Sequence, residues 1–141
     1  MVKKLASNWY WISAFLAGAC ALALAMGDWD VRQRFILASV VVLFLHFFEE
    51  FGFPGGFPWM GLHVERGTVD VDSKSRDLNQ LNSLIGNWWF IVAVYLAALL
   101  LPDLRFLTVA LGVMAVLEVC MHAIGFNVGV RSFYNPGCSR R

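Results

Sequence analysis

The chain has 141 residues, of which 59% are hydrophobic and 15% charged, and its mean hydropathy is +0.63. Soluble domains carry about a quarter charged residues, so this composition predicts an integral membrane protein. The formal net charge is +1 and no basic stripe occurs, which indicates no nucleic-acid partner.

The first predicted membrane span covers residues 9–26 and follows the basic segment MVKK. A helix needs about 20 mostly apolar residues to cross the hydrocarbon layer. The apolar run is long for a signal peptide, and no clear small-residue cleavage pattern follows it. We therefore expect a retained first span.

The second predicted span covers residues 35–51 and belongs to the stretch LFLHFFEEFGFPGGF. Three ionisable side chains, His46, Glu49 and Glu50, lie near its end. Charged groups in hydrocarbon are costly, so they need partners, water or a function. The Pro-Gly-Gly sequence that follows is typical of a turn and ends the span.

A long polar loop, residues 53–84, leads to predicted spans at 85–101 and 104–126, with a tight Pro-Asp turn between them. We expect the third helix to begin near Leu78, before the membrane, with Asp77 as its cap. A polar stripe then enters the membrane on one helix face, formed by Gln80, Ser83 and Asn87. The predicted fold is a single all-α domain, a polytopic transmembrane helix bundle with four spans.

The distribution of Lys and Arg predicts the orientation of this bundle. Eight of these residues fall on the side of the termini and the long loop, against three on the other side. Positive charge is enriched in cytoplasmic loops. We therefore expect a multi-pass protein of the cell (inner) membrane with both termini and loop 53–84 in the cytoplasm. A bundle with so little polar surface could also form homo-oligomers in the lipid bilayer.

The predicted topology places most ionisable groups of the spans at one depth. The second and fourth helices run in the same direction, so His46 and its two glutamates lie level with Glu118 and His122. Within each helix, histidine and carboxylate are three or four residues apart and share one face. Helices that each offer histidine and carboxylate can chelate a divalent metal, as in carboxylate–histidine di-metal bundles.

We predict that His46, Glu49, Glu118 and His122 bind the metal. Imidazole with carboxylate suits zinc, iron or manganese, as one ion or as a di-metal centre. Glu50 is then a ligand to a second metal or a general base for water, which makes it a candidate catalytic residue. Two residues outside the spans can join the cluster: His63 as a further ligand, and Tyr134 as a hydrogen-bonding catalytic residue.

Other interpretations of these residues stay open. Glu50 can extend to the membrane interface, and the four predicted ligands can form a metal-free ion-pair network. Asn82 and Asn87 can serve as hydrogen bonds between helices. Aromatic residues near the predicted span ends are typical of an interfacial belt. They are Trp9, Tyr10, Trp11, Trp59, Trp88 and Trp89.

Three motifs make the chain resemble the HxxEE family, small prokaryotic membrane proteins of unknown function. The motifs are HFFEE followed by PGGF, a helical histidine preceded four residues earlier by a polar residue, and Tyr-x-Pro-Gly, and the resemblance covers residues 43–137. The resemblance implies that the functional residues are His46, Glu49, Glu50, His122, Tyr134, Pro136 and Gly137. Glu118 stands where the family usually has asparagine, which adds an anionic candidate ligand. The resemblance also leads us to expect a further apolar segment after residue 137.

The predicted function is a membrane metalloenzyme that acts on a lipophilic substrate at the cytoplasmic leaflet. Hydrolysis with zinc and oxidation with a di-iron centre both fit the spacing. A proton or metal-ion transporter is an alternative, because carboxylates and histidines within spans also form ion pathways. The concentration of polar residues on one side favours a one-sided site. A binding or structural protein with a metal-free His–Glu network is the third possibility.

Overall fold

The computed structural model describes residues 4, 6–53, 55–57 and 73–131, and this part contains four long helices and no strand. Helix α1 is Trp9–Met26 and helix α2 is Val31–Phe51. Helix α3 covers residues 73–100, as Ser73–Phe90, the π-helical Ile91–Leu96 and Ala97–Leu100. Helix α4 covers residues 105–130, as Arg105–Cys120, the π-helical Met121–Phe126 and Asn127–Val130. The predicted all-α bundle is confirmed.

Four helical stretches are long and apolar enough to cross a membrane. They are Trp9–Met26, Val31–Phe51, Gln80–Leu100 and Arg105–Gly129, with mean hydropathies from 1.6 to 2.0. No more than 28% of any of these apolar windows is buried inside the protein, so most of the apolar side chains face outward. Extended apolar surface of this kind is rare on soluble monomers and marks contact with a membrane or another protein.

The first residues of α2 and α3 differ from those that the sequence predicted. Helix α2 begins at Val31, because the Asp30 carboxylate accepts from the Gln33 N–H at 2.8 Å. The Gln33 side chain accepts in return from the Asp30 N–H at 3.1 Å, which completes a capping box. Helix α3 begins at Ser73, so the expectation that Asp77 caps it is wrong.

The helices alternate in direction, as contacts at both ends of the bundle indicate. Arg32, at the start of α2, donates from Nη1 to the carbonyl oxygen of Ala98, at the end of α3, over 2.7 Å. At the opposite end, Trp9 of α1 contacts Phe51 of α2. The end of α2 therefore lies on the same side of the bundle as the starts of α1 and α3, and His122 of α4, 2.9 Å from Glu50 of α2, places the end of α4 there as well.

Trp9 holds three helices together at that side. Its side chain is 0% exposed, and its ring centroid lies 5.5 Å from that of Phe47 and 5.0 Å from that of Phe51. Its indole Nε1 donates to Oε1 of Gln80 on α3 over 2.9 Å. The expectation that Trp9 belongs to an interfacial belt is wrong, because its polar N–H finds an acceptor inside the bundle.

Replacement of Trp9 by phenylalanine tests this contact. The variant keeps an aromatic ring but leaves the buried Gln80 side chain without its donor, which costs about 1–3 kcal/mol. We expect a loss of that size in the free energy of unfolding, measured by denaturant titration in detergent micelles. Trp11→Phe is the matched control, because Trp11 is 53% exposed. Equal losses in both variants would contradict a structural contribution from the Trp9–Gln80 bond.

Candidate metal centre

The carboxylate of Glu50 lies between two histidines from different helices. Its Oε1 is 3.2 Å from Nε2 of His46, one turn earlier on α2, and 2.9 Å from Nε2 of His122 on α4. Glu50 is 8% exposed, so these two imidazoles replace most of the water its carboxylate would otherwise bind. A carboxylate only accepts hydrogen bonds, so both rings donate from Nε2. This arrangement joins α2 to α4.

Glu118 adds a second carboxylate from α4. Its Oε2 lies 3.7 Å from Nε2 of His122, and its side chain is 53% exposed. One potential ligand atom from each of His46, Glu118 and His122 lies within 4.8 Å of the others. Two imidazoles and a carboxylate therefore point at one small volume, with Glu50 on its buried side.

The distances in this cluster suit ligand atoms that share one cation. With metal–ligand bonds of about 2.0–2.2 Å, neighbouring atoms of a tetrahedral site lie about 3.3–3.6 Å apart. The separations of 3.2 and 2.9 Å from Glu50 to the two histidines and of 3.7 Å between Glu118 and His122 scatter around that spacing, and the ligand atoms of His46, Glu118 and His122 lie within 4.8 Å of one another. A metal binds the imidazole nitrogen that carries no proton, so conversion of the hydrogen-bonded cluster into a coordination shell would need each Nε2 proton to move to Nδ1 or to water, together with small shifts of the side chains. Its imidazole and carboxylate donors suit zinc, iron or manganese.

Glu49 faces the same cavity without entering the cluster. It is exposed and lines the cavity, and in the described part of the chain neither histidine pairs with it. The sequence-based expectation pairs Glu49 with the histidines, whereas in the structure Glu50 makes these contacts. Glu50 contacts both histidines, and Glu49 is the exposed carboxylate beside them.

The remaining predicted site residues divide into two groups. Asn82 and Asn87 of α3 line the cavity together with the two histidines. Tyr134 and His63 lie outside the described residues, as do Pro136 and Gly137. Their assignment therefore stays a prediction from the sequence.

The glycine turn after α2 brings an aromatic ring to the cluster. Gly55 and Gly56 have φ values of 74° and 103°, which glycine adopts without steric cost. The Gly55 N–H donates to the carbonyl oxygen of Glu49 over 2.9 Å. The chain therefore reverses, and the Phe57 ring centroid lies 6.0 Å from that of His122. Phe57 covers one side of this imidazole.

Both π-helical segments contribute residues to the cavity. Met121–Phe126 includes His122, and Ile91–Leu96 includes the buried Tyr95. A π-helical turn takes in an extra residue and re-aims the side chains it carries, and such turns are frequent at functional sites. Sequence periodicity did not indicate Tyr95 or Phe57 as site residues. The PGGF sequence was the only signal for Phe57, since a ring so close to a tight turn must fold back.

A cavity of about 1050 Å³ lies between α2, α3 and α4 and contains the cluster. Its volume is close to the upper end of the range typical of small-molecule sites, about 300–1,000 Å³. The histidines and glutamates line one end, and Phe35 and Ala38 line the other. The site is therefore open to a ligand much larger than a metal ion.

Comparison with known proteins identifies a family. Residues 36–139 match the model of a family described as "Protein of unknown function with HXXEE motif". The match begins in α2 and includes His46, Glu49, Glu50, Glu118 and His122. No curated protein and no solved structure matches the chain.

Replacement of Glu50 by alanine tests the contact between α2 and α4. The variant leaves two partly buried imidazoles without their shared acceptor, and we expect it to lose about 1–3 kcal/mol of stability. Glu49→Ala is the matched control, for which we expect a change within about 0.5 kcal/mol because the side chain is exposed. Denaturant titration of chelator-treated protein in micelles measures both. A smaller loss for Glu50→Ala than for Glu49→Ala would contradict the assignment.

Replacement of Gly55 by alanine tests the turn. At a φ of 74°, a Cβ atom would lie 2.9 Å from the carbonyl oxygen of Gly52, and the left-handed conformation itself costs about 1–2 kcal/mol. We expect a loss of that order in the free energy of unfolding and a shift of the His122 ring resonances in NMR as Phe57 moves. Gly18→Ala is the control, because its Cβ would meet nothing within 4 Å. Unchanged His122 resonances in Gly55→Ala would show that the turn does not position Phe57.

Proposed function

The chain belongs to the HXXEE family of unknown function, and from its own site we propose that it is a metal-dependent enzyme of the membrane. His46, Glu50, Glu118 and His122 bind one divalent cation, zinc or iron. The observation that carries this proposal is the Glu50 carboxylate, 8% exposed and within 3.2 Å of both imidazoles. Together with Glu118, which is 3.7 Å from His122, these residues offer two imidazoles and two carboxylates as ligands.

We place the protein in the cell (inner) membrane. Four helices of suitable length and hydropathy support several crossings. The excess of Lys and Arg on the side of the termini and loop 53–84 supports a cytoplasmic position for both. The cluster then lies towards the cytoplasmic leaflet.

Hydrolysis is the reaction that this ligand set favours. Di-iron bundles use two histidines and four glutamates from their helices. The described cavity offers the two histidines but three glutamates, Glu49, Glu50 and Glu118. This supports one ion rather than two, and hydrolysis rather than oxidation. A divalent cation there would supply Lewis-acid activation of the substrate and of water.

The other cavity residues have roles that follow from their positions. Glu49 is exposed beside the cluster and can take a proton from water as a general base. Asn82 and Asn87, across the cavity on α3, can hydrogen-bond the polar part of a substrate. The Phe57 ring packs beside the His122 imidazole. Tyr134 is proposed as a further catalytic residue from the sequence alone.

The cavity supports an enzyme over a transporter. An ion pathway needs polar groups towards both sides of the membrane. Here the end of the cavity away from the cluster is lined by Phe35, Ala38 and Val42, with Ser39 as the polar residue among them. A mostly apolar, one-sided cavity instead suits a lipophilic substrate whose reacting group lies at the metal.

Metal analysis of the full chain tests the proposal. Protein purified in mild detergent, loaded with Zn²⁺ or Fe²⁺ and dialysed, should retain one ion per chain by inductively coupled plasma mass spectrometry. His46→Ala, His122→Ala and Glu50→Gln should lose most of that metal, because each removes a ligand. Glu49→Gln, the neighbouring substitution of the same kind, should retain it.

Several outcomes would overturn this assignment. Wild-type protein without stoichiometric metal would leave a metal-free His–Glu network. Two ions per chain, lost together on Glu49→Gln, would favour di-metal oxidation. Metal flux into vesicles that contain the wild-type protein, absent with His122→Ala, would establish transport.

A further inference from the structure

The cavity extends along the bundle well beyond the His–Glu cluster. On α2 its lining runs from Phe35 to Phe51, a distance of about 24 Å at the helical rise of 1.5 Å per residue. The hydrocarbon layer is about 30 Å thick, so the cavity is longer than one leaflet is deep. It lies alongside three helices that are apolar enough to cross a membrane.

The two ends of the cavity differ in chemistry. Away from the cluster its walls are mostly apolar, formed by Phe35, Ala38 and Val42 on α2 and by Phe90 on α3. At the cluster end, α3 adds uncharged polar groups to the histidines and glutamates. They are Asn82, Ser83 and Asn87. A long apolar slot with a polar end is complementary to an amphiphile.

The charges at the polar end select the head group. Three glutamates line the cavity, and none of its described lining residues is Lys or Arg. A divalent cation would offset only two of the three negative charges. A phosphate or sulfate head would therefore meet like charge without a side-chain cation to bind it. The asparagines and the serine instead offer hydrogen bonds to an uncharged group.

We propose that the cavity binds a lipid with one long alkyl or acyl chain and an uncharged, hydrogen-bonding head group. The head lies at the cluster, between the histidines and Asn87, and the chain extends between α2, α3 and α4 towards Phe35. This deepens the proposed function, because it rests on the cluster as the place where the head would react. Binding of the chain itself requires only the cavity.

Gly86 allows the cavity to be filled without disturbing the protein. It lines the cavity, and a Cβ atom there would meet nothing within 4 Å. Gly112 of α4 is equally unobstructed but does not line the cavity. Leucine raises helix propensity at both positions, so neither substitution should unfold its helix. The leucine side chain of Gly86→Leu therefore occupies part of the cavity, whereas that of Gly112→Leu lies outside it.

Photo-crosslinking of the full chain tests the proposal. The probe is hexadecanol with a diazirine near the middle of its chain, applied to micellar protein in metal-loaded and chelator-treated forms. Mass spectrometry should locate its adducts on cavity-lining residues, and unlabelled hexadecanol should compete with the probe. Gly86→Leu should reduce labelling about tenfold, equivalent to about 1.4 kcal/mol of binding, whereas Gly112→Leu should label like wild type. Ala115→Leu is a second cavity-filling variant.

The outcomes separate this proposal from the metal proposal. Labelling that persists in chelator-treated protein supports the lipid site even where no metal binds. Metal binding without cavity labelling overturns the lipid site and leaves the metal centre intact. Equal labelling of wild type, Gly86→Leu and Ala115→Leu would show that the chain lies elsewhere. Stronger labelling by diazirine-bearing palmitate would overturn the assignment of an uncharged head group. Stronger labelling by diazirine-bearing phosphatidylglycerol would overturn the assignment of a lipid with one chain and an uncharged head group.

Discussion

The burial of one carboxylate, that of Glu50, constrains the arrangement of this bundle more than any other interaction. An unpaired carboxylate among apolar helices is costly, and hydrogen-bond donors must replace the water that it loses. Its own helix supplies one donor, His46, and the second comes from His122 on α4. The end of α2 and the π-helical part of α4 must therefore lie together. The glycine turn then places Phe57 against the second imidazole.

Two further polar contacts position α3 and thereby create the cavity. Gln80, near its start, accepts from the buried indole of Trp9, and Ala98, near its end, accepts from Arg32. Between these two points α3 stands apart from α2, and the space that remains is the cavity between α2, α3 and α4. The contacts that stabilise the fold thus lie at both ends of α3, and the space available to a ligand lies in the middle. Ionisable side chains line only one end of the cavity, so its two ends differ in polarity.

Much of the fold was predictable because membrane helices obey short-range rules. Apolar runs identified four helices, the Pro-Gly-Gly sequence marked the end of α2, and three- to four-residue spacing indicated that His46 shares a face with its glutamates. The Asp-x-x-Gln sequence that caps α2 was also present in the chain and could have moved its predicted start to Val31. Trp9 was not predictable in this way. An indole suits the membrane interface and the core equally well, and its acceptor, Gln80, is 71 residues away.

The sequence by itself determined the four apolar helices and the set of histidines and glutamates on α2 and α4, because hydropathy and helical period depend on neighbouring residues only. It did not determine whether Glu49 or Glu50 contacts both histidines, since one lies three and the other four residues after His46 and both share its face. The tertiary structure decided that, through the rotation of α2 against α4, which buries Glu50 and leaves Glu49 exposed. It likewise decided the π-helical turns and the cavity, because both arise from how separate helices pack and no local pattern encodes that packing.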